Sequence, residues 1–204
     1  MRIVRVDEVA PTPWKNGGGV TRELLRVPGE GDWLLRISVA DIEADGPFSP
    51  FPGITRWFAV IEGAGVVLDW AEDWGAGLTP ASNALEFDGA DAPDCSLRDG
   101  PTRDLNVMVR RSAASAFLGR AEAGAPWHWP GDARGLFTLR PLVLDRGGER
   151  LALPAHVLAW HDGSDTRAWS LAPAHDQAQT DGSGAPAAWW IGLQRSTPST
   201  GTDR

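Results

Sequence analysis

Ten residues near the start of the chain, Trp14-Lys-Asn-Gly-Gly-Gly-Val-Thr-Arg-Glu23, gather an indole, two cations, an amide, a hydroxyl and a carboxylate around three glycines. A glycine run costs chain entropy, yet it reaches φ > 0 and lets a ligand come close to the backbone. Lys15, Asn16, Gly17, Gly18, Gly19, Thr21 and Glu23 are therefore candidate ligand-binding residues. The same stretch also reads as a plain Asn-Gly hairpin turn. A nucleotide loop fits poorly, because a phosphate cradle needs a buried strand before it and a helix N-terminus after it. Here Val20 to Val27 shows no N-cap pattern and runs into Pro28.

Further polar residues sit on otherwise apolar stretches. Thr21 and Glu23, Arg36 and Ser38, and Asp104 and Asn106 are i, i+2 pairs, so on strands each pair projects from one face. If that face lines a barrel mouth the pairs converge into a polar pocket, and if it faces water they are ordinary exterior residues. Alternation alone does not choose. A carboxylate ligand calls for arginine, whose planar fork matches two oxygens. Arg22 has the opposite parity from Thr21 and Glu23 and cannot share their face. Should the chain be an enzyme, Glu23 or Asp104 is the candidate general base, one buried carboxylate being enough.

Metal and thiol chemistry find less support. His128, His156, His161 and His175 all lie in the second half at or near loops. His156 and His161, five apart, would point to opposite faces of a continuous strand. They read as solvated loop histidines, and neither a metal nor another cofactor is expected. Cys95 stands before a turn without a histidine nearby and reads as inert; as the single cysteine it also excludes an internal disulfide. No serine sits in a nucleophile-elbow pattern.

The elements that must position these residues are short strands. Residues 1–6, Val20 to Val27, Trp33 to Ala40, Arg56 to Glu62, Gly65 to Trp70, Ala84 to Phe87 and Leu105 to Arg111 read as strands in the first part. Trp33, Leu35, Ile37 and Val39 share one face, with Arg36 and Ser38 on the other. Gly63-Ala-Gly65 is a hairpin signal, residues 71–84 look like loop, and Asp45 to Gly53 is a proline-rich loop anchored by Phe48 and Phe51. Ser115 to Ala121, Gly135 to Leu144, Glu149 to Leu153, Val157 to Trp160, Ala168 to Leu171 and Ala188 to Gln194 are strand candidates in the second. Asp145 to Gly148 is a hairpin turn, Asp176 to Pro186 a polar loop, and 196–204 a disordered tail. Many short strands separated by turns indicate an all-β sandwich or barrel.

With 204 residues, 42% of them hydrophobic, the chain can bury a substantial core as one unit. Nineteen basic against 27 acidic residues give a net charge of −8, which argues against a nucleic-acid or anionic-membrane partner. The absence of an apolar leader points to a reducing, cytoplasmic setting, and no run approaches the ~20 residues of a membrane span.

Four blocks in order, Trp14 to Glu23, Arg36-Ile-Ser-Val-Ala-Asp41, Asp45-Gly-Pro-Phe-Ser-Pro-Phe-Pro-Gly-Ile-Thr-Arg56 and Asp104-Leu-Asn-Val-Met-Val-Arg110, resemble the HutD/Ves family. The second half matches only by its strand pattern. The resemblance implies a cupin-like (bicupin) fold over residues 1–195, two β-barrel halves of about 1–111 and 112–195. It also implies a homodimer, an accessory role in histidine catabolism, and binding of a small anionic metabolite such as urocanate or formylglutamate. It favours the polar strand faces as pocket walls over exterior surface, and so adds Arg36, Ser38, Arg56, Asp104 and Asn106 to the candidate ligand-binding set. A metal-independent isomerase or hydrolase and a partner-binding module are the alternatives.

Overall fold

A computed structural model describes residues 1–70, 74–164, 166–174 and 184–196. In the first part the strands are β1 (Arg2–Arg5), β2 (Thr12–Pro13), β3 (Gly19–Val27), β4 (Leu35–Ile42), β5 (Gly46–Pro47), β6 (Ile54–Glu62), β7 (Val66–Trp70), β8 (Trp74–Leu78), β9 (Leu85–Asp88), β10 (Asp94–Leu97) and β11 (Thr102–Arg110). The second part adds β12 (Ala114–Ala121), β13 (Ala133–Thr138), β14 (Leu142–Arg146), β15 (Arg150–Leu153), β16 (Val157–Asp162), β17 (Trp169–Pro173) and β18 (Ala188–Arg195). Among the described residues the one helical turn is a 3-10 turn at Val6–Glu8, and no helix is long and apolar enough to cross a membrane.

These strands make four sheets, ordered β5-β10-β7-β8, β2-β3-β4-β11-β6-β9, β1-β16-β13-β18-β12 and β15-β14-β17. Three apolar clusters show how they stack. Ile42, Phe58 and Val60 of the six-stranded sheet pack with Val66, Leu68, Leu78 and Cys95 of the four-stranded one. Leu35, Ile37, Val39, Leu105, Val107 and Val109, on the other face of the six-stranded sheet, meet Leu158, Trp160, Trp189, Ile191 and Leu193 of the five-stranded sheet. That sheet turns Leu136, Ala159 and Trp190 toward Leu144, Trp169 and Leu171 of the three-stranded sheet. A strand with both faces covered cannot be polar on either without a reason, which is why the inner polar residues of β4 and β11 matter.

The two halves are tied together. β1 is an edge strand, as its weak alternation suggests, but it pairs with β16 of the second half, Arg2 opposite Trp160 and Arg5 opposite Val157. Asp41 takes Arg22 and Arg103, the latter at 2.6 Å, and Arg103 also reaches Glu62 at 3.4 Å. Glu62 in turn holds Nε2 of His156 at 2.9 Å. Burial works to raise the Asp41 carboxyl, but the two guanidiniums outweigh it and hold the group below its ordinary value.

Several local readings change. Gly63-Ala-Gly65 does not close a hairpin: β6 pairs with β11 and β9, whereas β7 pairs with β10 and β8. The glycines, at φ +94° and +113°, turn a corner from one sheet to the next. Within the stretch read as loop, Trp74–Leu78 is a strand on the edge of the four-stranded sheet, its glycines having hidden the pattern. Asp94–Leu97 is a further strand, which buries Cys95 in the barrel wall. Gly135 to Leu144 divides into β13 and β14 around Pro141, which cannot donate to a ladder. Most of the loop from Asp176, and the tail beyond Ser196, fall outside the described residues.

Candidate functional site

The inner face of the six-stranded sheet is set by register. Arg36 of β4 lies opposite Met108 of β11, and Met108 opposite Arg56 of β6; one row along, Ser38, Asn106 and Phe58 are aligned in the same way. Thr21 and Glu23 of β3 stand beside Ala40 and Ser38. The i, i+2 pairs therefore share the inner face of this sheet, with Thr21, Arg36, Ser38 and Asn106 turned toward the barrel interior, Asp104 buried and Glu23 part-exposed.

This face opens onto a cavity of about 530 Å³ lined by Trp14, Lys15, Asn16, Thr21, Arg36, Ser38, Phe48, Phe51, Arg56, Phe58, Asn106 and Met108, among others. Arg56 is its deepest charge, 5% exposed. Its Nη2 donates to Oδ1 of Asn106 at 3.0 Å, while its Nε has no partner. The guanidinium carbon sits 4.7 Å from the Phe48 ring centroid, 5.1 Å from Phe87 and 5.8 Å from Phe51. Three rings and an amide surround a cation with no carboxylate partner among the described residues. Burial, with the Arg36 charge adding, brings the Arg56 pKa down to about 10, so it remains charged at neutral pH.

Arg36 is arranged differently. Its Nε donates to Oε2 of Glu23 at 2.7 Å, and Glu23 also faces Arg26 at 3.8 Å. Glu23 therefore stands behind the cavity wall as a counter-ion, not on the wall. Arg22, on the opposite face as its parity requires, is engaged by Asp41.

The glycine block is a hairpin connection between β2 and β3, with Thr12 opposite Thr21. Gly17 N donates to the Trp14 carbonyl, and Gly18 N to Oδ1 of Asn16 at 3.1 Å. A Cβ at Gly19 would run into the Asp41 carbonyl, so only glycine lets β3 lie this close to β4. Gly17, Gly18 and Gly19 do not line the cavity; they hold Trp14, Lys15 and Asn16 at its mouth, with Trp14 Nε1 donating to Thr21 Oγ1 at 2.7 Å. Both readings of the block survive in part: it is a hairpin, and it shapes the pocket.

Asp104 shares the inward face but is fully buried and off the cavity wall. Thr102 Oγ1 donates to its Oδ2 at 2.9 Å, and Oδ1 has no partner. Desolvation pushes its pKa well above the usual carboxylate range, which favours the protonated form. Burial likewise pushes the Cys95 thiol up to about 12, consistent with an unreactive side chain.

The histidines are not simply solvated. His156 adopts φ +55° and pairs with Glu62, and the His161 ring stands 6.3 Å from that of Trp169. His128 is exposed, and His175 lies outside the described residues. Among the described residues no three His, Cys, Asp or Glu side chains cluster as metal ligands would.

The aromatic wall is the part that residue-type reasoning underweighted. Phe58 and Met108 share parity with Arg56 and Asn106 and could have been assigned with them. Phe87 could not, because nothing local in Leu85–Asp88 announces its proximity to Arg56.

Four stacked antiparallel sheets in two halves define the class. The fold is cupin-like, and it superposes on oxalate decarboxylase from Bacillus subtilis with a TM-score of 0.57 at 10% identity over 96% of this chain and 77% of that one. The chain belongs to the HutD family, whose model matches residues 6–178. It is 38% identical over 110 residues to an uncharacterized 21.2 kDa protein in the hutC 3' region of Pseudomonas putida, an alignment spanning 53% of this chain and 57% of that protein. It is 30% identical over 155 residues to protein Ves of Citrobacter koseri, covering 75% and 79% of the two chains. HutD from Pseudomonas fluorescens, solved in a formate condition, superposes with a TM-score of 0.80 at 28% identity, covering 96% of this chain and 99% of that one.

Proposed function

We propose that this protein binds a small carboxylate metabolite in the first-half barrel and acts as an accessory or regulatory component of histidine catabolism, with urocanate and formylglutamate as candidate ligands. The observation that carries the reading is Arg56: a buried guanidinium without an acidic partner among the described residues, ringed by phenylalanines and facing a cavity large enough for such a molecule. A desolvated cation of this kind is expensive unless an anion joins it, and a carboxylate supplies both charge and geometry. Arg36, Ser38, Asn106, Asn16, Thr21 and Lys15 offer donors for the rest of the ligand. Similarity to an uncharacterized protein of the hutC 3' region supports that metabolic setting.

A base-catalysed reaction finds less support. Glu23 is committed to Arg36, and Asp104, whose protonated form is favoured by burial, lies off the cavity wall.

Calorimetry with urocanate and formylglutamate on wild type, Arg36→Ala and Arg56→Ala tests the reading. Loss of a charged hydrogen bond to a desolvated anion is worth about 2–5 kcal/mol, or roughly thirty- to several-thousand-fold in affinity. Arg56→Ala should show the larger loss. Tight binding untouched by either change would place the site elsewhere, and turnover of either compound by the pure protein would favour an enzyme.

A further inference from the structure

The two arginines of the cavity differ in one respect that bears on what the cavity accepts. Among the described residues Arg56 has no acidic partner, whereas Arg36 carries Glu23 on its Nε at 2.7 Å. Neither Nη group of Arg36 has a hydrogen-bond partner among the described residues, and Arg36 lines the cavity while Glu23 does not. We infer that Glu23 is a charge-selecting and positioning residue: it cancels the Arg36 charge from behind the wall and fixes the guanidinium, so that the cavity takes a ligand with one anionic group and a neutral polar far end.

This rests on the binding reading above and narrows it to a monocarboxylate such as urocanate, setting aside formylglutamate, which carries two carboxylates. With Glu23 in place, the uncompensated charge inside the barrel is that of Arg56 alone. Arg26, the other neighbour of Glu23, stands at 3.8 Å against the 2.7 Å of the Arg36 contact and does not line the cavity, and Lys15 is exposed at the mouth and screened by water, so the Arg36–Glu23 pair is the one that sets the charge at the wall. Around the row from Arg36 to Arg56 the remaining polar wall is neutral, formed by Ser38, Asn106, Thr21 and Asn16. A second carboxylate drawn into this space would shed its water and meet hydroxyls, amides and an already paired guanidinium. That is rejection by an unmatched desolvated charge, which discriminates more sharply than any loss of shape fit.

The test compares terephthalate with its monoamide, two nearly isosteric probes that differ by one charge, on wild type, Glu23→Gln, Glu23→Asp and Arg36→Gln. Wild type should prefer the monoamide by at least about tenfold. Glu23→Gln, which keeps the shape and removes the charge, should bring the ratio to about unity or invert it, mainly by tightening terephthalate. Glu23→Asp should restore part of the preference, and Arg36→Gln should remove the gain from Glu23→Gln in the double variant. A residue that merely braces the strand would lower the melting temperature and weaken both probes together without moving their ratio. A wild type that binds the monoamide while Glu23→Gln leaves the ratio unchanged overturns the role of Glu23 alone. A wild type that binds neither probe overturns the carboxylate reading, and this inference with it.

Discussion

Each half of the molecule buries arginine among aromatic rings, and the two do so to different ends. In the first half the rings of Phe48, Phe51 and Phe87 surround Arg56 at 4.7 to 5.8 Å, and space remains beside them. In the second half Arg134 and Arg146 lie over the single indole of Trp169 at 4.4 and 5.4 Å. Trp127 closes that neighbourhood, stacked on Trp190 with centroids 4.6 Å apart and planes 4° apart, and edge-on to Trp169. Cation–π contact stabilises the buried charge in both places. In the second half the two arginines share one indole, which itself packs against further tryptophans. Where phenylalanines leave room, the same device presents a charge to a cavity.

The largest effect that would sharpen this contrast is in the second half. Trp169→Ala removes the ring under both arginines and should cost about 3–5 kcal/mol of stability, read as a fall in the denaturant midpoint, with carboxylate binding in the first half unchanged. Binding lost in proportion to stability would mean that the halves do not divide the labour as described.

A smaller effect concerns Asp104. Its folded-state pKa lies well above that of the unfolded chain because burial penalises the charge. As pH rises past the ordinary carboxylate value the unfolded state releases its proton first, so stability falls until the folded group titrates in turn. Melting curves of wild type and Asp104→Asn at pH 5 and pH 8 should show the variant gaining on wild type at the higher pH. A gap that does not move with pH would mean that Asp104 is ionised in the fold.

The smallest concerns the join between halves. Glu62→Gln weakens the links to Arg103 and His156, but these side chains are part-exposed, at 43%, 28% and 34%, so the loss should stay within about 1 kcal/mol. A larger loss would make that ion network, and not the apolar interface of the six- and five-stranded sheets, the main link between halves.

How legible this was in sequence depended on distance along the chain. The alternation of Leu35, Ile37 and Val39 against Arg36 and Ser38 is local and maps directly onto the two faces of β4. It could not say which face looked inward, because alternation carries no sign; the second sheet decides that, and it comes from elsewhere in the chain. Gly63 and Gly65 failed as a hairpin signal for the same reason, since a tight turn and a corner between sheets use the same residues. Phe87 behind Arg56, the burial of Asp104 and the pairing of β1 with β16 all depend on contacts that no window of sequence contains. Parity set Arg22 aside, and the family resemblance put Arg36 and Arg56 in one candidate pocket; the register places them on either side of Met108.

The most direct test of the central claim is a crystal structure with urocanate bound. The account predicts its carboxylate within about 2.7–3.2 Å of the Arg56 guanidinium, beside Phe48 and Phe51, with the neutral end toward Asn16 and Thr21. A ligand bound in the second half, or in the first half with Arg56 left uncontacted, would contradict it.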